Sequence, residues 1–294
     1  MSSRAISAPR RTAVAAGGTA GLALLCLSCR WKTLMLTCLA LLVALAVFVT
    51  ARHAQIVALR RATRWPRPPW LSRERPGRRR SAQHYLFVLG SGGHTKEMLM
   101  MMDDGFRDFA GCHRRYLISS GDRVSHHQLE DYEKQLAQLC RAADSSPGSY
   151  DTRVVARARR VHQSLWTTPL TSLLSIVAVF SVLLSPPPGP TGERLPYPTQ
   201  IFSNGPATGF FVGLAAHLLK IFYVVPEDSM RFVYIESWAR ISTLSLTGRL
   251  LLYTDVADAF YVQHQELAAA HGLVNAGEMV FNSRRADAQP SPLV

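Results

Sequence analysis

The chain has 294 residues, of which 48% are hydrophobic and 18% are charged, and its formal net charge at pH 7 is +13. This length is enough for one α/β domain with a sizeable core and an appended segment. Much of the positive charge is arginine in residues 52–80. Such a cluster predicts an anionic partner, which is lipid or nucleic acid depending on what lies next to it.

An uncharged apolar run, 33–51, directly precedes the arginine-rich segment. This run is just long enough to cross a bilayer as a helix, and a cleaved signal peptide would have a shorter apolar core, so we predict a retained transmembrane anchor. The preceding residues 1–32 contain a Gly- and Ala-rich run, 12–29, which is either a disordered lead or a weak second span in a tight hairpin. Because this anchor lies next to the arginine cluster, we predict that the anionic partner is a membrane and not a nucleic acid. More basic residues follow the anchor than precede it, which predicts a cytosolic domain.

Residues 52–82 are predicted to be a Pro- and Arg-rich linker, either a solvated tether or a lipid-binding segment. From residue 83 to 284, strand and helix patterns alternate, which predicts a parallel sheet covered on both faces. The predicted strands are 84–89, 115–119, 152–156, 199–202, 231–235 and 260–263. The predicted helices are 95–102, 125–141, 207–220, 245–253 and 265–271. Residues 221–225 could either extend the preceding helix or form a strand. Residues 285–294 are predicted to be a flexible tail.

One segment of the domain, 165–184, is nearly all apolar. Pro169 lies in its first turn and three prolines follow it, so the part after Pro169 is short for a membrane span. Three structures stay open for it: a helix buried on the sheet, a helix resting in the membrane surface, and a second spanning helix.

The domain is organised around residues 84–99, which read as an apolar run, three glycines in four residues, and a helix start. Thr95 can cap that helix. A strand, a glycine turn and a helix N-terminus together make an anion or sugar-phosphate site, because glycine lets the ligand approach free backbone N–H groups. The alternative is a turn that needs glycine only for packing. The spacing matches neither Gly-x-Gly-x-x-Gly nor the Walker pattern, which disfavours a nicotinamide or ATP site.

Polar residues follow four of the predicted strands, and ligands of open α/β sheets bind outside the carboxyl ends of strands. Arginine offers permanently charged, forked donors for phosphate, so we predict one site for a diphosphate or sugar diphosphate. Glu236 would orient Arg240 or bind sugar hydroxyls. The sequence indicates no metal cluster, no cofactor and no Cys–His pair. The predicted site residues are Gly90, Ser91, Gly92, Gly93, His94, Arg157, Arg159, Arg160, Asn204, Gly205, Pro206, Glu236, Ser237 and Arg240.

The same residues, in this order, resemble the membrane-anchoring subunit of the UDP-N-acetylglucosamine transferase of dolichol-linked oligosaccharide assembly. The resemblance covers about 84–265, and the N-terminal anchor agrees with it. Its motifs are Gly90-Ser91-Gly92-Gly93-His94-Thr95-x-Glu97-Met98, Arg157-x-Arg159-x-x-x-Gln163-Ser164-x-Trp166, Asn204-Gly205-Pro206-x-Thr208, Tyr234-Ile235-Glu236-Ser237-x-x-Arg240-x-x-x-Leu244-Ser245-Leu246-x-Gly248 and Asp258-x-Phe260-x-Val262-Gln263.

The resemblance implies a single Rossmann-like parallel sheet domain that forms the acceptor half of a split GT-B glycosyltransferase. A separate soluble subunit would bind UDP-N-acetylglucosamine. The pair would add the second N-acetylglucosamine to N-acetylglucosaminyl-diphosphodolichol, a dolichol-linked acceptor lipid, at the cytosolic face of the endoplasmic reticulum membrane. Two other functions stay open: a membrane-tethered scaffold without acceptor binding, and a self-sufficient glycosyltransferase, which the chain length disfavours.

Under the enzyme hypothesis, His94 is the candidate general base for the acceptor hydroxyl, because a neutral imidazole accepts protons near neutral pH. The alternative is that His94 only caps or packs the turn. Two segments, 225–229 and 276–294, depart from the family pattern, which leaves the docking of the partner open.

Overall fold

The computed structural model describes residues 11–62, 82–105, 111–156, 168–205 and 207–277. Most of the predicted linker, Arg157, Arg159 and Arg160, and the predicted tail 285–294 lie outside these ranges. The chain divides into two compact units, Met1–Ala58 and Leu59–Val294.

Helix α1 (Arg11–Ala62) makes up the described part of the first unit and ends just inside the second. Within it, Arg30–Ala62 is the one described helix that is long and apolar enough to cross a membrane. Apolar side chains along the predicted anchor are exposed; Leu41, for example, is 70% exposed. By its length and composition, the segment 33–51 can therefore span a bilayer.

The helix continues through Arg30, Trp31 and Lys32, where the hairpin considered above would need a turn. These residues include no glycine, proline or asparagine, and each is compatible with a helix, so nothing in the sequence forces a turn there. The start of the predicted linker, 52–62, is also helical instead of irregular. The first proline after the anchor is Pro66, which leaves the helix free to continue to Ala62.

The second unit contains one seven-stranded sheet with the order β3-β2-β1-β4-β5-β6-β7. Every neighbouring pair is parallel, which confirms the predicted fold class. The strands are β1 (Gln83–Val88), β2 (Cys112–Ser119), β3 (Ser149–Val155), β4 (Gln200–Ser203), β5 (Arg231–Ile235), β6 (Ala259–Val262) and β7 (Val274–Asn275). The helices of this unit are α2 (Gly93–Gly105), α3 (Arg123–Ala142), α4 (Thr168–Leu184), α5 (Pro190–Arg194), α6 (Ala207–Ile221), α7 (Leu246–Thr254) and α8 (Gln265–His271).

Side chains of β1 alternate between two buried clusters, one on each face of the sheet. Tyr85 and Phe87 pack with residues of α2 and α3, and Leu86 and Val88 pack with residues of α4, α6 and α7. Strand β1 pairs with β2 on one side and with β4 on the other. The switch point of this doubly wound sheet therefore lies between β1 and β4, where open α/β sheets bind their ligands.

The described part of the apolar segment, 168–184, forms α4, and its described side chains favour the buried alternative. Val179, Val182 and Leu183 are buried in the cluster shared with α6. Arg115 holds the C-terminal end of this helix, because its guanidinium donates to the Val182 carbonyl at 3.1 Å and to Ser185 Oγ at 3.0 Å. A helix C-terminus carries partial negative charge, so a buried arginine there is favourable.

The open segment 221–225 is resolved as the end of a helix and a turn. Helix α6 ends at Ile221, and the Phe222 N–H still donates to the Leu218 carbonyl at 3.0 Å. Tyr223 then has a φ of 57°, which breaks the helix. The short elements α5 and β7 were not predicted, because five and two residues are too few for a periodic pattern.

Candidate functional site

The loops after β1 and β4 meet at the switch point. Asn204 is buried and its Nδ2 donates to the His94 carbonyl at 2.9 Å. Next to it, a Cβ at Gly205 would lie 2.7 Å from His94 Nδ1, which is closer than a Cβ atom can approach. Glycine at 205 is therefore required for the imidazole of His94 to sit where it does, and the structure brings the predicted residues 90–94 and 204–205 together.

The glycine loop, residues 90–93, is hydrogen-bonded to the interior of the domain through the carbonyl of Gly90. The Gly90 carbonyl accepts a hydrogen bond from Ser125 Oγ at 2.9 Å and another from Thr95 Oγ1. Thr95 was predicted to cap the helix, but α2 begins two residues earlier, at Gly93, and Thr95 is buried beneath the loop instead. These two hydrogen bonds fix the carbonyl inward. At the start of α2, the His94 N–H donates to the Ser91 carbonyl at 3.3 Å, while the Gly93 N–H makes no backbone hydrogen bond among the described residues.

The outer side of the glycine loop is open. Gly92 has a φ of +56°, a conformation that favours glycine, and a Cβ at Gly92 or Gly93 would meet no atom within 4 Å. The glycine at 93 is therefore not needed for packing among the described residues. An open, Cβ-free helix N-terminus can receive an anion directly on backbone N–H groups.

His94 has an inner and an outer edge. Its Nδ1 is buried and lies 3.8 Å from Glu97 Oε2, and the side chain as a whole is 35% exposed. The exposed part therefore belongs to the other atoms of the side chain.

Glu97 is the residue that joins the loops, although the sequence analysis included it only in a motif and gave it no role. Its Oε2 accepts from Ser237 Oγ at 2.9 Å. Its Oε1 accepts from the Trp238 N–H at 2.5 Å and from Gln263 Nε2 at 2.9 Å. One buried carboxylate of α2 therefore ties down the loops that follow β5 and β6. Sequence reasoning missed this role because its partners are 140 residues and more away along the chain.

Glu236 does not have the predicted role of orienting Arg240. Its Oε2 accepts from the Ser245 N–H at 3.2 Å and from Ser245 Oγ at 3.1 Å, and its Oε1 accepts from the Tyr234 hydroxyl at 3.3 Å. A Cβ at Gly248 would lie 2.0 Å from Oε2, so the carboxylate is enclosed by the start of α7. Burial raises the pKa of Glu236 above its usual value, against the lowering effect of these hydrogen bonds. Through these hydrogen bonds, Glu236 connects the end of β5 to the start of α7.

The remaining predicted residues divide into three groups. Ser237 is buried against Glu97, while Arg240 is exposed and its side chain forms no ion pair with Glu236 in the described structure. Arg157, Arg159 and Arg160 lie outside the described residues, as does Pro206.

Among the described residues, no group of three or more His, Cys, Asp and Glu is placed to hold a metal ion.

A hollow that the sequence did not predict lies beside the glycine loop, at the carboxyl ends of β2 and β3. It has a volume of about 310 Å³. Asp122 in its lining accepts a hydrogen bond from the Ser125 N–H at 3.1 Å, and Ser125 Oγ donates to the Gly90 carbonyl of the loop. The signal in the sequence is the Ser-Gly-Asp turn after β2. The lining residues are Ile118, Ser119, Gly121, Asp122, Arg123, His126, His127, Glu130 and Val154.

The fold and the site define an α/β domain with an open glycine loop at the switch point of a doubly wound parallel sheet. A sequence profile for the family described as "Oligosaccharide biosynthesis protein Alg14 like" matches residues 85–276. This match covers more than half of the chain, so the chain belongs to the Alg14-like family of oligosaccharide biosynthesis proteins. The resemblance inferred from the motifs is thereby confirmed.

Individual relatives agree with the profile. The UDP-N-acetylglucosamine transferase subunit alg14 of Aspergillus fumigatus is 37% identical over 196 residues, which are 53% of this chain and 85% of that protein. The UDP-N-acetylglucosamine transferase subunit ALG14 of Homo sapiens is 30% identical over 188 residues, which are 63% of this chain and 76% of that protein. The crystal structure of Acinetobacter baumannii MurG aligns with a TM-score of 0.36 at 15% identity, covering 63% of this chain and 42% of that one. The chain thus spans less than half the length of that structure.

Proposed function

We propose that this chain is the membrane-anchoring, acceptor-side subunit of a heteromeric glycosyltransferase. The complex would transfer N-acetylglucosamine from UDP-N-acetylglucosamine to N-acetylglucosaminyl-diphosphodolichol at the cytosolic face of the endoplasmic reticulum. The identity of both substrates comes from the family, whose relatives are named as UDP-N-acetylglucosamine transferase subunits. The observation that carries the acceptor role is the open glycine loop at the switch point, in a chain that has an apolar N-terminal helix.

The diphosphate of the lipid is the group that the glycine loop fits. Gly92 and Gly93 present no side chains there, so phosphate oxygens can reach the N–H groups at the start of α2. The positive end of the helix dipole favours the same charge. Exposed Arg240 supplies a mobile cation at the same edge of the sheet, and Arg157, Arg159 and Arg160 are proposed to do the same.

The chemistry assigned to this half is one proton transfer. The acceptor sugar hydroxyl attacks the anomeric carbon of the donor sugar, the bond to UDP breaks, and the hydroxyl proton passes to the outer nitrogen of His94. The inner nitrogen is buried beside Glu97, so Nε2 is the ring atom that can reach a substrate. A general base of this kind contributes roughly 10²–10⁴-fold to a rate.

The donor half is assigned to a separate soluble subunit. The described domain is one sheet with its helices, and a GT-B enzyme needs a second such domain for its nucleotide sugar. In this proposal the chain comprises an anchor at 33–51, a connecting segment, and a domain over 83–284 that holds the acceptor and recruits the donor subunit to the membrane.

Reconstitution tests this function. The full chain is placed in lipid nanodiscs, with and without a candidate donor subunit, and formation of the chitobiosyl-diphospholipid is measured. We expect transfer only when both chains are present, and no binding of UDP-N-acetylglucosamine by this chain alone in calorimetry. Recruitment of the donor subunit to the membrane without any transfer would favour the scaffold, and transfer by this chain alone would favour the self-sufficient enzyme.

Topology is tested separately. A glycosylation acceptor tag placed after residue 284 should remain unmodified in microsomes if the domain is cytosolic. A matched tag placed before residue 11 reports the opposite side of the membrane. Modification of the C-terminal tag would contradict the proposed orientation.

A further inference from the structure

Glu97 is a buried carboxylate whose described partners include no lysine or arginine. Glu97 is 8% exposed. Its two carboxylate oxygens accept hydrogen bonds from the Ser237 hydroxyl, the Trp238 backbone N–H and the Gln263 side-chain amide. Such donors lower the cost of burying the charge without cancelling it. Among its described partners the carboxylate therefore has only neutral donors, and its oxygens act on whatever lies next to it.

The group that lies next to it is the inner edge of His94. Nδ1 is 3.8 Å from Glu97 Oε2, a separation longer than a hydrogen bond but short enough for the charge to favour a proton on Nδ1. Nδ1 has no hydrogen-bond partner among the described residues. The nearby charged groups on elements packed around the ring are few: Glu97 and Lys96 lie on α2, and the 204–205 loop contributes only neutral Asn204 and Gly205.

The ring is also confined on its other side. The position of Gly205 leaves no room for even a methyl group beside Nδ1 and Cγ, and Asn204 fixes the backbone of His94. The loops bonded to Glu97 confine the carboxylate in the same way. Both groups are thus held, and the orientation of the imidazole follows from them.

We propose that Glu97 is a positioning residue that keeps the proton of His94 on Nδ1, so that Nε2 faces the acceptor site as a free base. This rests on the proposed role of His94 in transfer. The carboxylate does not touch substrate; it acts through the histidine, in the way that a buried acid orients the base of a catalytic triad.

The decisive variant is Glu97→Gln, which has the same shape. Its amide oxygen can still accept from Trp238 and Gln263, and its NH₂ can donate to Ser237 Oγ, so the loops stay joined. Facing His94, however, the NH₂ is a donor. Nδ1 then becomes the better acceptor and the proton moves to Nε2, where it blocks the base.

The first measurement is ¹⁵N NMR of the imidazoles in the full chain, in detergent micelles above pH 7.5, with the His94 signals assigned by comparison with His94→Gln. We expect the Nδ1–H tautomer in the wild type and a shift toward Nε2–H in Glu97→Gln. An Nε2–H tautomer in the wild type, or no change in the variant, would overturn the proposal. This readout needs no activity, so it stays decisive even if the reconstituted complex transfers nothing and the proposed function fails.

The second measurement is a double-mutant cycle on kcat in the assembled complex. We expect His94→Gln to lower kcat by roughly 10²–10⁴-fold and Glu97→Gln to lower it by at least ~10-fold, with the acceptor KM unchanged. The double variant should equal His94→Gln alone, because the carboxylate acts only through the ring. Additive effects, or full kcat in His94→Gln, would refute the coupling.

A matched control separates positioning from stability. Glu133 is another buried glutamate, on α3, and it pairs with Arg114 instead of a histidine. Glu133→Gln should lower the melting temperature while the His94 spectrum stays as in the wild type. If Glu133→Gln also changed the His94 tautomer, the effect of Glu97→Gln would reflect a general loss of stability, and the proposal would be wrong.

Discussion

Two regions of the domain bury charge in opposite ways. On the β2 side of the sheet, Arg114 is fully buried and meets both oxygens of Glu133, through Nε at 3.0 Å and through Nη2 at 2.8 Å. At the switch point, Glu97 is almost as deeply buried, but it meets only neutral donors and the edge of His94. The first region pairs its carboxylate with a buried arginine, whereas the described partners of the second carboxylate include no lysine or arginine.

The same contrast extends to the polar atoms around each carboxylate. The hydroxyl of Tyr116 donates to Glu133 at 2.5 Å, which completes the β2 cluster. At the switch point, Asn204 Oδ1 and Gln263 Oε1 are buried without a hydrogen-bond partner among the described residues, as is His94 Nδ1. Buried polar atoms without such a partner also occur elsewhere among the described residues, for example Gln128 Oε1 and Gln200 Oε1. Folded proteins satisfy nearly all buried polar atoms, so each of these is a place where a water, a substrate or a partner can bind.

The largest expected effect is on the first region. Removing Glu133 leaves the Arg114 guanidinium buried without its carboxylate, and Glu133→Ala should lower the free energy of unfolding by about 3–5 kcal/mol. Thermal unfolding of the full chain in micelles measures this loss. Glu130→Ala is the control on the same helix, because its pair with His126 is half exposed and should cost less than about 1 kcal/mol. Equal losses would mean that burial of the pair does not matter.

The next effect concerns the switch point and should appear in catalysis instead of stability. Gly205→Ala places a methyl group against the His94 ring and drives it outward, so kcat in the assembled complex should fall roughly 10²-fold. The ring is a third exposed and can swing out, so the melting temperature should change little. Adding His94→Ala removes the clash, and the double variant should then melt like His94→Ala alone. If the double variant melted at a lower temperature than His94→Ala, the added methyl group would clash with an atom other than the His94 ring.

Acid should act first on His84, which lies on β1 next to His113 of β2. Burial, with help from Arg115 and His113, lowers the pKa of His84 to about 3, far below the ordinary value. As the pH falls through about 6.5, the unfolded chain takes up this proton and the folded chain does not, so stability present above pH 6.5 is lost progressively down to about pH 3. Between pH 6.5 and 5 the loss should be about 2 kcal/mol.

The measurement is the unfolding free energy against pH for the wild type and His84→Gln. The variant should show a flatter curve between pH 6.5 and 5. Asp151 provides an internal contrast, because burial would raise its pKa but hydrogen bonds from His113 and Arg115 outweigh this and lower it. Its contribution is present above about pH 4 and is lost only below that value. An unchanged slope in His84→Gln would assign the acid sensitivity to another group.

The fold was predictable from the sequence because the elements that build it are long and periodic. Strand β5 and helix α8 have the predicted bounds, and the loops after β1 and β4 meet as expected from the rule for open sheets. Helix α1 exceeded its prediction, because hydropathy marks the apolar part of a helix but not where the helix ends. Strand β7 has two residues and carries no pattern that could be read.

The site was only partly predictable, for a physical reason that Glu97 and Glu236 illustrate. Both residues belong to the family motifs, Glu97 in the helix after β1 and Glu236 directly after β5. The motifs do not show which hydrogen bonds their carboxylate oxygens accept. Ser245 and Gly248 enclose Glu236 and give it a structural role, while Ser237 and Gln263 hold Glu97 facing the histidine. These partners are set by the packing of α2 and α7 against the sheet ends, which no local pattern encodes.

The smallest expected effect separates the glycine loop from an ordinary turn. Gly92 and Gly272 have φ angles of +56° and +64°, and a Cβ at either position would meet no atom within 4 Å. Replacing either by alanine should therefore cost a similar 1–2 kcal/mol or so of stability, from backbone strain alone. Only Gly92 lies where we place the acceptor diphosphate, so Gly92→Ala should also raise the acceptor KM about tenfold, the equivalent of one weakened hydrogen bond. Steady-state kinetics of the assembled complex with each variant tests this, and a KM that rises equally in Gly272→Ala would show that strain, and not the loop's contact with the lipid, sets the affinity.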